Sequence, residues 1–299
     1  MMSVEEKVEL AQVSIRSTFK AYVELLKLRL AVIVGLSGAL GYMLATSGSY
    51  NVGLILLFSV SGLMITGAAN ATNQALEVEL DRMMNRTGKR PLPSGRLTKR
   101  NALYFAGLLL FGGILIQALW FNPLTAAISF VSYLLYSFAY TPLKRVGSIA
   151  VFVGAIPGGL PPLIGFVAAR GTIDLEALVM FAVQFLWQFP HFWAVAWVLD
   201  DDYKRANFRL LPLDNTKSLR TAVVVLVFTL VLVPFSLLPT WMGYTGEISL
   251  WVAVVAGLGF IAFNWRLVKQ GTDRNALQMM FYSFLYLPLV QIAYVLDKL

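Results

Sequence analysis

The sequence predicts an all-α integral membrane protein with nine transmembrane helices, and three observations lead there. Of its 299 residues, 58% are apolar and only 13% are charged, about half the charged share of a soluble domain (~25%). Apolar windows suited to crossing ~30 Å of hydrocarbon recur nine times, at about 30–46, 52–72, 101–120, 123–140, 146–168, 175–199, 219–239, 248–265 and 276–296. With that count, 22 of the 24 Lys and Arg residues fall on one side of the membrane, and only Arg170 and Lys298 on the other. One span more or fewer would destroy this asymmetry. The positive-inside rule makes the rich side cytoplasmic, with the N-terminus inside and the C-terminus opposite. The net charge of +8 is therefore a topology signal and calls for no nucleic-acid partner.

Taken in order, residues 1–24 carry scattered charges and no continuous apolar stretch, so they read as an amphipathic cytoplasmic lead and not as a signal peptide. Residues 25–299 read as one transmembrane domain. The turns on the Arg170 side are short and bland, such as Ser47-Gly48-Ser49 and Phe121-Asn122-Pro123, so chemistry is expected at the basic side. The second and sixth connections are the long ones there, and both open with carboxylates and run into basic residues. They lie four spans apart, which suggests two related four-helix halves plus a ninth helix. Gly158, Gly159, Pro161 and Pro162 predict a kinked, closely packed fifth helix. The absence of Cys and the single His exclude a disulfide scaffold, a Cys nucleophile, a haem-thiolate site and a Cys/His zinc site. A catalytic metal must then sit on oxygen ligands.

The first acidic cluster supplies them. On a helix advancing ~100° per residue, Asn73, Glu77 and Asp81 step by about 40° and form one stripe at the end of the second span. Mg²⁺ takes oxygen ligands, often one or two carboxylates completed by substrate phosphate and water. Arg86, Lys89 and Arg90 follow before the Pro91/Pro93/Gly95 turn, and guanidinium groups beside metal-binding carboxylates are what a diphosphate site requires. The competing reading is a solvated, topogenic helix end, which suits Glu79, Lys99 and Arg100. In the second cluster, Asp200, Asp201 and Asp202 close the sixth span. Acids at a helix C-terminus oppose its dipole unless a cation compensates; that cation is either a metal or, for Asp200 in particular, the following Lys204, Arg205 and Arg209.

The run Asn73-x3-Glu77-x3-Asp81-x2-Met84-x-Arg86-Thr87-x2-Arg90-Pro91-Leu92 resembles the first motif of the protohaem IX farnesyltransferases (haem O synthases), within the intramembrane aromatic prenyltransferase superfamily. Tyr140-Thr-Pro-Leu-Lys144-Arg145, the Gly158 to Gly165 run, Trp187-Gln188-Phe-Pro190-His191-Phe192, and Asp202-Tyr203-x2-Ala206 before Leu211-Pro212 extend the match over residues 20–215. The last three helices carry no such motif. Two departures stand out: Val198 occupies the place of an acid four residues before Asp202, and Leu28 replaces the proline expected between Lys27 and Arg29, so those two bases are left out of the expected site.

The resemblance implies a prenyltransferase-type bundle in the cell inner membrane. It implies transfer of farnesyl from farnesyl diphosphate to a vinyl group of haem b, with addition of water, to give haem O. It places Mg²⁺ on Asn73, Glu77 and Asp81, with a second ion near Asp202, and diphosphate on Arg86, Arg90, Lys144, Arg145 and Lys204. It puts His191, Trp187 and Gln188 against haem, His191 following Pro190 in a bent helix. Contact with haem A synthase or the terminal-oxidase assembly goes with the same resemblance. Two alternatives remain open at this point: a prenyltransferase for a quinone or phenolic acceptor, and an anion transporter.

Overall fold

The computed structural model describes residues 17–299; the first sixteen residues of the expected lead lie outside the described residues, and 17–26 are helical. Among the described residues, nine helices are long and apolar enough to cross a membrane: α1 (Leu28–Ala45), α2 (Val52–Leu76), α3 (Lys99–Trp120), α4 (Pro123–Leu143), α5 (Ile149–Arg170), α6 (Leu175–Val198), α7 (Leu219–Trp241), α8 (Glu247–Gln270) and α9 (Asp273–Leu296). All nine predicted spans are present, with ends shifted by a few residues.

Short polar residues start these apolar helices by satisfying backbone N–H groups that have no intrahelical partner. Asn51 accepts from Leu54 N (3.1 Å), Thr98 from Asn101 N (3.2 Å), Asn122 from Thr125 N (2.8 Å) and Asp174 from Ala177 N (2.9 Å). Gly171 (φ 79°) and Gly271 (φ 59°) end α5 and α8 in the left-handed conformation.

The helices pack largely in chain order, and α9 returns onto α1 and α6 to close the bundle. The α1–α5 crossing brings the two backbones close together. A Cβ at Gly41 would meet the backbone of Pro162, and one at Gly165 would meet the backbone of Gly38, so neither helix tolerates a side chain there. The Gly/Pro-rich run thus packs as closely as its composition predicts, with Pro157, Pro161 and Pro162 inside the helix. Leu108, Phe111, Leu119, Trp251 and Val255 face outward, as a lipid-facing surface requires. At the end opposite the basic loops, Lys298 Nζ donates to Met43 O (3.0 Å) and Thr46 O, tying the C-terminus to the last carbonyls of α1. Arg170, the other base there, pairs with Asp174 and Glu176.

A short helix follows α2 (Val78–Met83) and another follows α6 (Asp200–Arg205). Both stand at the basic end, four spans apart, where the two long connections are.

Candidate diphosphate and haem site

The predicted stripe forms on an interrupted helix. α2 ends at Leu76, Glu77 sits outside helical geometry (φ −103°, ψ 16°), and the short helix Val78–Met83 follows. The phase survives because Glu77 N still donates to Asn73 O (3.0 Å) and Asp81 N to Glu77 O (2.8 Å). Asn73, Glu77 and Asp81 are accordingly 2%, 4% and 1% exposed. Glu79 points the other way, its side chain 78% exposed and paired with Arg82 at 2.9 Å.

Each buried carboxylate has a cation. Lys144 Nζ lies 3.0 Å from both oxygens of Glu77, and Arg90 Nη1 lies 2.9 and 2.8 Å from those of Asp81. Asn73 donates its amide N–H to Glu77 Oε2 (2.8 Å) and to Thr141 Oγ1 (3.1 Å). The local cause of this convergence is a π-helical stretch, Leu135–Tyr140, within α4. Such bulges re-aim the residues that follow them and recur at functional sites. Here Thr141 donates back to Tyr136 O (2.9 Å), and Lys144 projects over the Tyr140 ring, 4.7 Å from its centroid. Arg90 reaches Asp81 from a compact turn, in which Arg90 N donates to Thr87 O and Thr87 Oγ1 donates to Asp81 O (2.9 Å).

Sequence reasoning left out Lys27. Held in the left-handed region (φ 49°) between the preceding helix and α1, its half-buried side chain brings the ammonium within 3.4 Å of Asn73 Oδ1. Burial, reinforced by Arg90 and Lys144 nearby, draws that ammonium down to about 7. The Lys-x-Arg spacing was visible, but the backbone turn that aims Lys27 inward was not. Tyr203 is a second addition: burial pushes its phenol above the usual range, with Arg86, Lys144, Glu77 and Arg90 the charges acting on it.

The second cluster differs from expectation. The chain breaks at Leu199, so Asp200, Asp201 and Asp202 open the short helix Asp200–Arg205 and do not close α6. Acids in a first turn are favoured by the dipole, and no compensating metal is demanded. Asp200 pairs with Lys204 at 2.7 Å, the neutralisation weighed for it. Asp202 accepts the backbone N–H groups of Asn85 and Arg86 (both 3.1 Å), which fastens the loop after α2 to the loop after α6. Of the five expected diphosphate bases, Lys144 and Arg90 are in the buried cluster. Arg86 and Arg145 are exposed and Lys204 is spent on Asp200.

For a metal, the donor set is two carboxylates (Glu77, Asp81) and the Asn73 amide oxygen. No group of three or more His, Cys, Asp or Glu side chains converges among the described residues. Hard oxygen donors that few in number suit Mg²⁺, which fills its shell with substrate oxygens and water.

Below the charged mouth lies a cavity of about 250 Å³ whose wall includes Tyr136, Tyr140, Gln188, His191, Phe192 and Phe284. Tyr140 belongs to both regions, carrying Lys144 above it and lining the cavity below. The three expected haem residues come together on this wall: Trp187 stacks on His191 (4.6 Å, 11°), and Gln188 donates to Ala155 O (2.8 Å). Gln188 packs its side-chain amide directly against Gly158, in the space a Cβ there would need. Phe284 meets the imidazole edge-on at 4.6 Å. Polar side chains at membrane depth therefore face the cavity, as their cost in lipid requires.

The sequence pattern of the UbiA prenyltransferase family runs through residues 32–286. The chain belongs to this family. Among its relatives, the protoheme IX farnesyltransferase of Cytophaga hutchinsonii is 45% identical over 95% of this chain and 99% of its own length. That of Flavobacterium psychrophilum is 40% identical over 95% and 96%. Solved UbiA-family folds agree. A digeranylgeranylglyceryl phosphate synthase structure superposes with a TM-score of 0.77 at 20% identity, covering 94% of this chain and 98% of its own. A UbiA homolog from Archaeoglobus fulgidus, bound to DMAPP and Mg²⁺, gives 0.66 at 14% identity, covering 92% and 98%.

Proposed function

We propose that this chain joins farnesyl diphosphate to a vinyl group of haem b, with addition of water, giving haem O and diphosphate. The observation that carries the reading is that a buried carboxylate–cation cluster stands next to a cavity whose aromatic wall bears the one imidazole, with Tyr140 lining that cavity and carrying Lys144 of the cluster over its ring. The naming of its full-length relatives points to the same acceptor.

Glu77, Asp81 and Asn73 Oδ1 would hold Mg²⁺, which when bound offsets charge on the departing diphosphate. Lys144 and Arg90 exchange their carboxylate partners for diphosphate oxygens, with Lys27 beside them. The C1–O bond of the farnesyl group breaks and its electron pair leaves with diphosphate. The terminal vinyl carbon then bonds to C1. The cation left on the carbon next to the porphyrin takes the oxygen of water, and one proton departs. Trp187, Phe192 and Phe284 keep the cavity apolar, which protects the allylic cation from early capture. His191, which lines the cavity, would offer its imidazole to haem iron. A second ion at Asp202 would share a carboxylate whose two oxygens already accept the amides of Asn85 and Arg86. The basic mouth faces the cytoplasm, following the charge asymmetry.

The test is transfer of label from farnesyl diphosphate by purified protein in Mg²⁺. Label should enter haem only when haem b is supplied and should stay put in EDTA. Equal transfer to a phenolic or quinone acceptor, or flux of substrate without product, would overturn the assignment.

A further inference from the structure

The only histidine in the chain is oriented by α9, a helix with no recognisable motif. Ser283 Oγ lies 2.7 Å from His191 Nδ1 and 2.6 Å from Met280 O. A carbonyl can only accept, so the single serine proton goes to Met280. The serine oxygen then accepts from the imidazole, and the proton between them belongs to Nδ1. A neutral imidazole has one N–H, which leaves the free lone pair on Nε2. Ser283 is fully buried and His191 lines the cavity. With Nδ1 turned to Ser283, Nε2 is the nitrogen left to the cavity side, and it makes no hydrogen bond among the described residues. The same residue fixes the neighbouring ring: Trp187 Nε1 donates to Ser283 O at 2.8 Å, and Trp187 stacks on the imidazole at 4.6 Å. One residue of α9 thus sets the tautomer of His191 and the plane against which it rests.

We propose that Ser283 is a positioning residue that holds His191 as the Nδ1–H tautomer and thereby presents Nε2 to haem iron as an axial ligand. This rests on the haem reading of the cavity. Metal-bound histidines characteristically donate their second N–H to such a partner, and losing it weakens binding about 10–100-fold.

Because the chain has one histidine, protein made without a polyhistidine tag and labelled with ¹⁵N-histidine reports this site alone. Without haem, the nitrogen spectrum should show a protonated Nδ1 and an unprotonated Nε2, and Ser283→Ala should lose that preference. With haem b, Ser283→Ala should bind about tenfold or more weakly and move the iron–histidine stretch in the resonance Raman spectrum of the ferrous complex. Ser283→Thr, which keeps the hydroxyl, should restore both. Ser283→Cys, a weaker hydrogen-bonding group of similar size, should shift them in the same sense as Ala and serves if Ser283→Ala does not fold. A reversed tautomer in the wild type overturns the proposal. So does a band lost in His191→Ala yet unchanged in Ser283→Ala with an unaltered tautomer, which leaves His191 a ligand. A wild-type complex with no iron–histidine band, or one unaffected by His191→Ala, overturns the axial-ligand reading itself.

Discussion

Lys144 and Glu77, 67 residues apart, meet in a buried ion pair with the ammonium 3.0 Å from each carboxylate oxygen. The pair joins the end of α2 to the end of α4 beneath the basic mouth. Taking one member away from such a pair leaves a buried charge uncompensated, at a cost of about 3–5 kcal/mol. Lys144→Met also removes a cation from the departing diphosphate and should lower kcat/KM for farnesyl diphosphate by about two orders of magnitude or more. Arg145→Met, at the exposed next position, should stay within about twofold of wild type. Steady-state kinetics on the two folded variants tests this, and equal losses would mean that net charge at the mouth, and not this pairing, sets the rate.

The stripe on the interrupted helix makes a second contrast. Glu77→Gln and Asp81→Asn each remove a buried carboxylate and should lower turnover by several orders of magnitude, because leaving-group departure depends on the charge they organise. Glu79→Gln alters an exposed side chain paired only with Arg82 and should leave turnover nearly unchanged. Similar mild effects at all three positions would reduce the cluster to a solvated helix end.

Asp202 offers a test that needs no turnover. Its carboxylate accepts two backbone amides, and a hydrogen bond to a charged group contributes about 1.5–3 kcal/mol. In metal-free protein, Asp202→Ala should speed hydrogen exchange at Asn85 and Arg86 by about tenfold or more. Unchanged exchange would show that the carboxylate does not hold that loop.

Much of this was legible in the residues. Nine spans announce themselves because each must be apolar for about 20 residues, and the four-residue spacing of Asn73, Glu77 and Asp81 specifies a common face even across the break at Glu77. Other features escape because they depend on backbone geometry that spacing does not encode. The left-handed turn at Lys27 and the π-helical stretch before Thr141 each re-aim a side chain that a regular helix would point elsewhere. The break at Leu199 reverses which end of a helix the three aspartates occupy. Ser283 is silent in sequence, since a serine in an apolar helix looks like any small packing residue until its partner, 92 positions away, is known.

The charge asymmetry carries a prediction about orientation. A reporter fused after Leu97 should score cytoplasmic and one after Arg170 should score external, since 22 of 24 bases lie on the Leu97 side. The opposite pattern would contradict the positive-inside reading of the connections.

The most direct test of the central claim is the mass of the haem recovered after purified protein is incubated with haem b, farnesyl diphosphate and Mg²⁺. The predicted product is heavier than haem b by one farnesyl and one hydroxyl group, is absent in EDTA and is absent with Glu77→Gln. Haem recovered unchanged by active, folded protein, with the farnesyl group found on another acceptor, would contradict it.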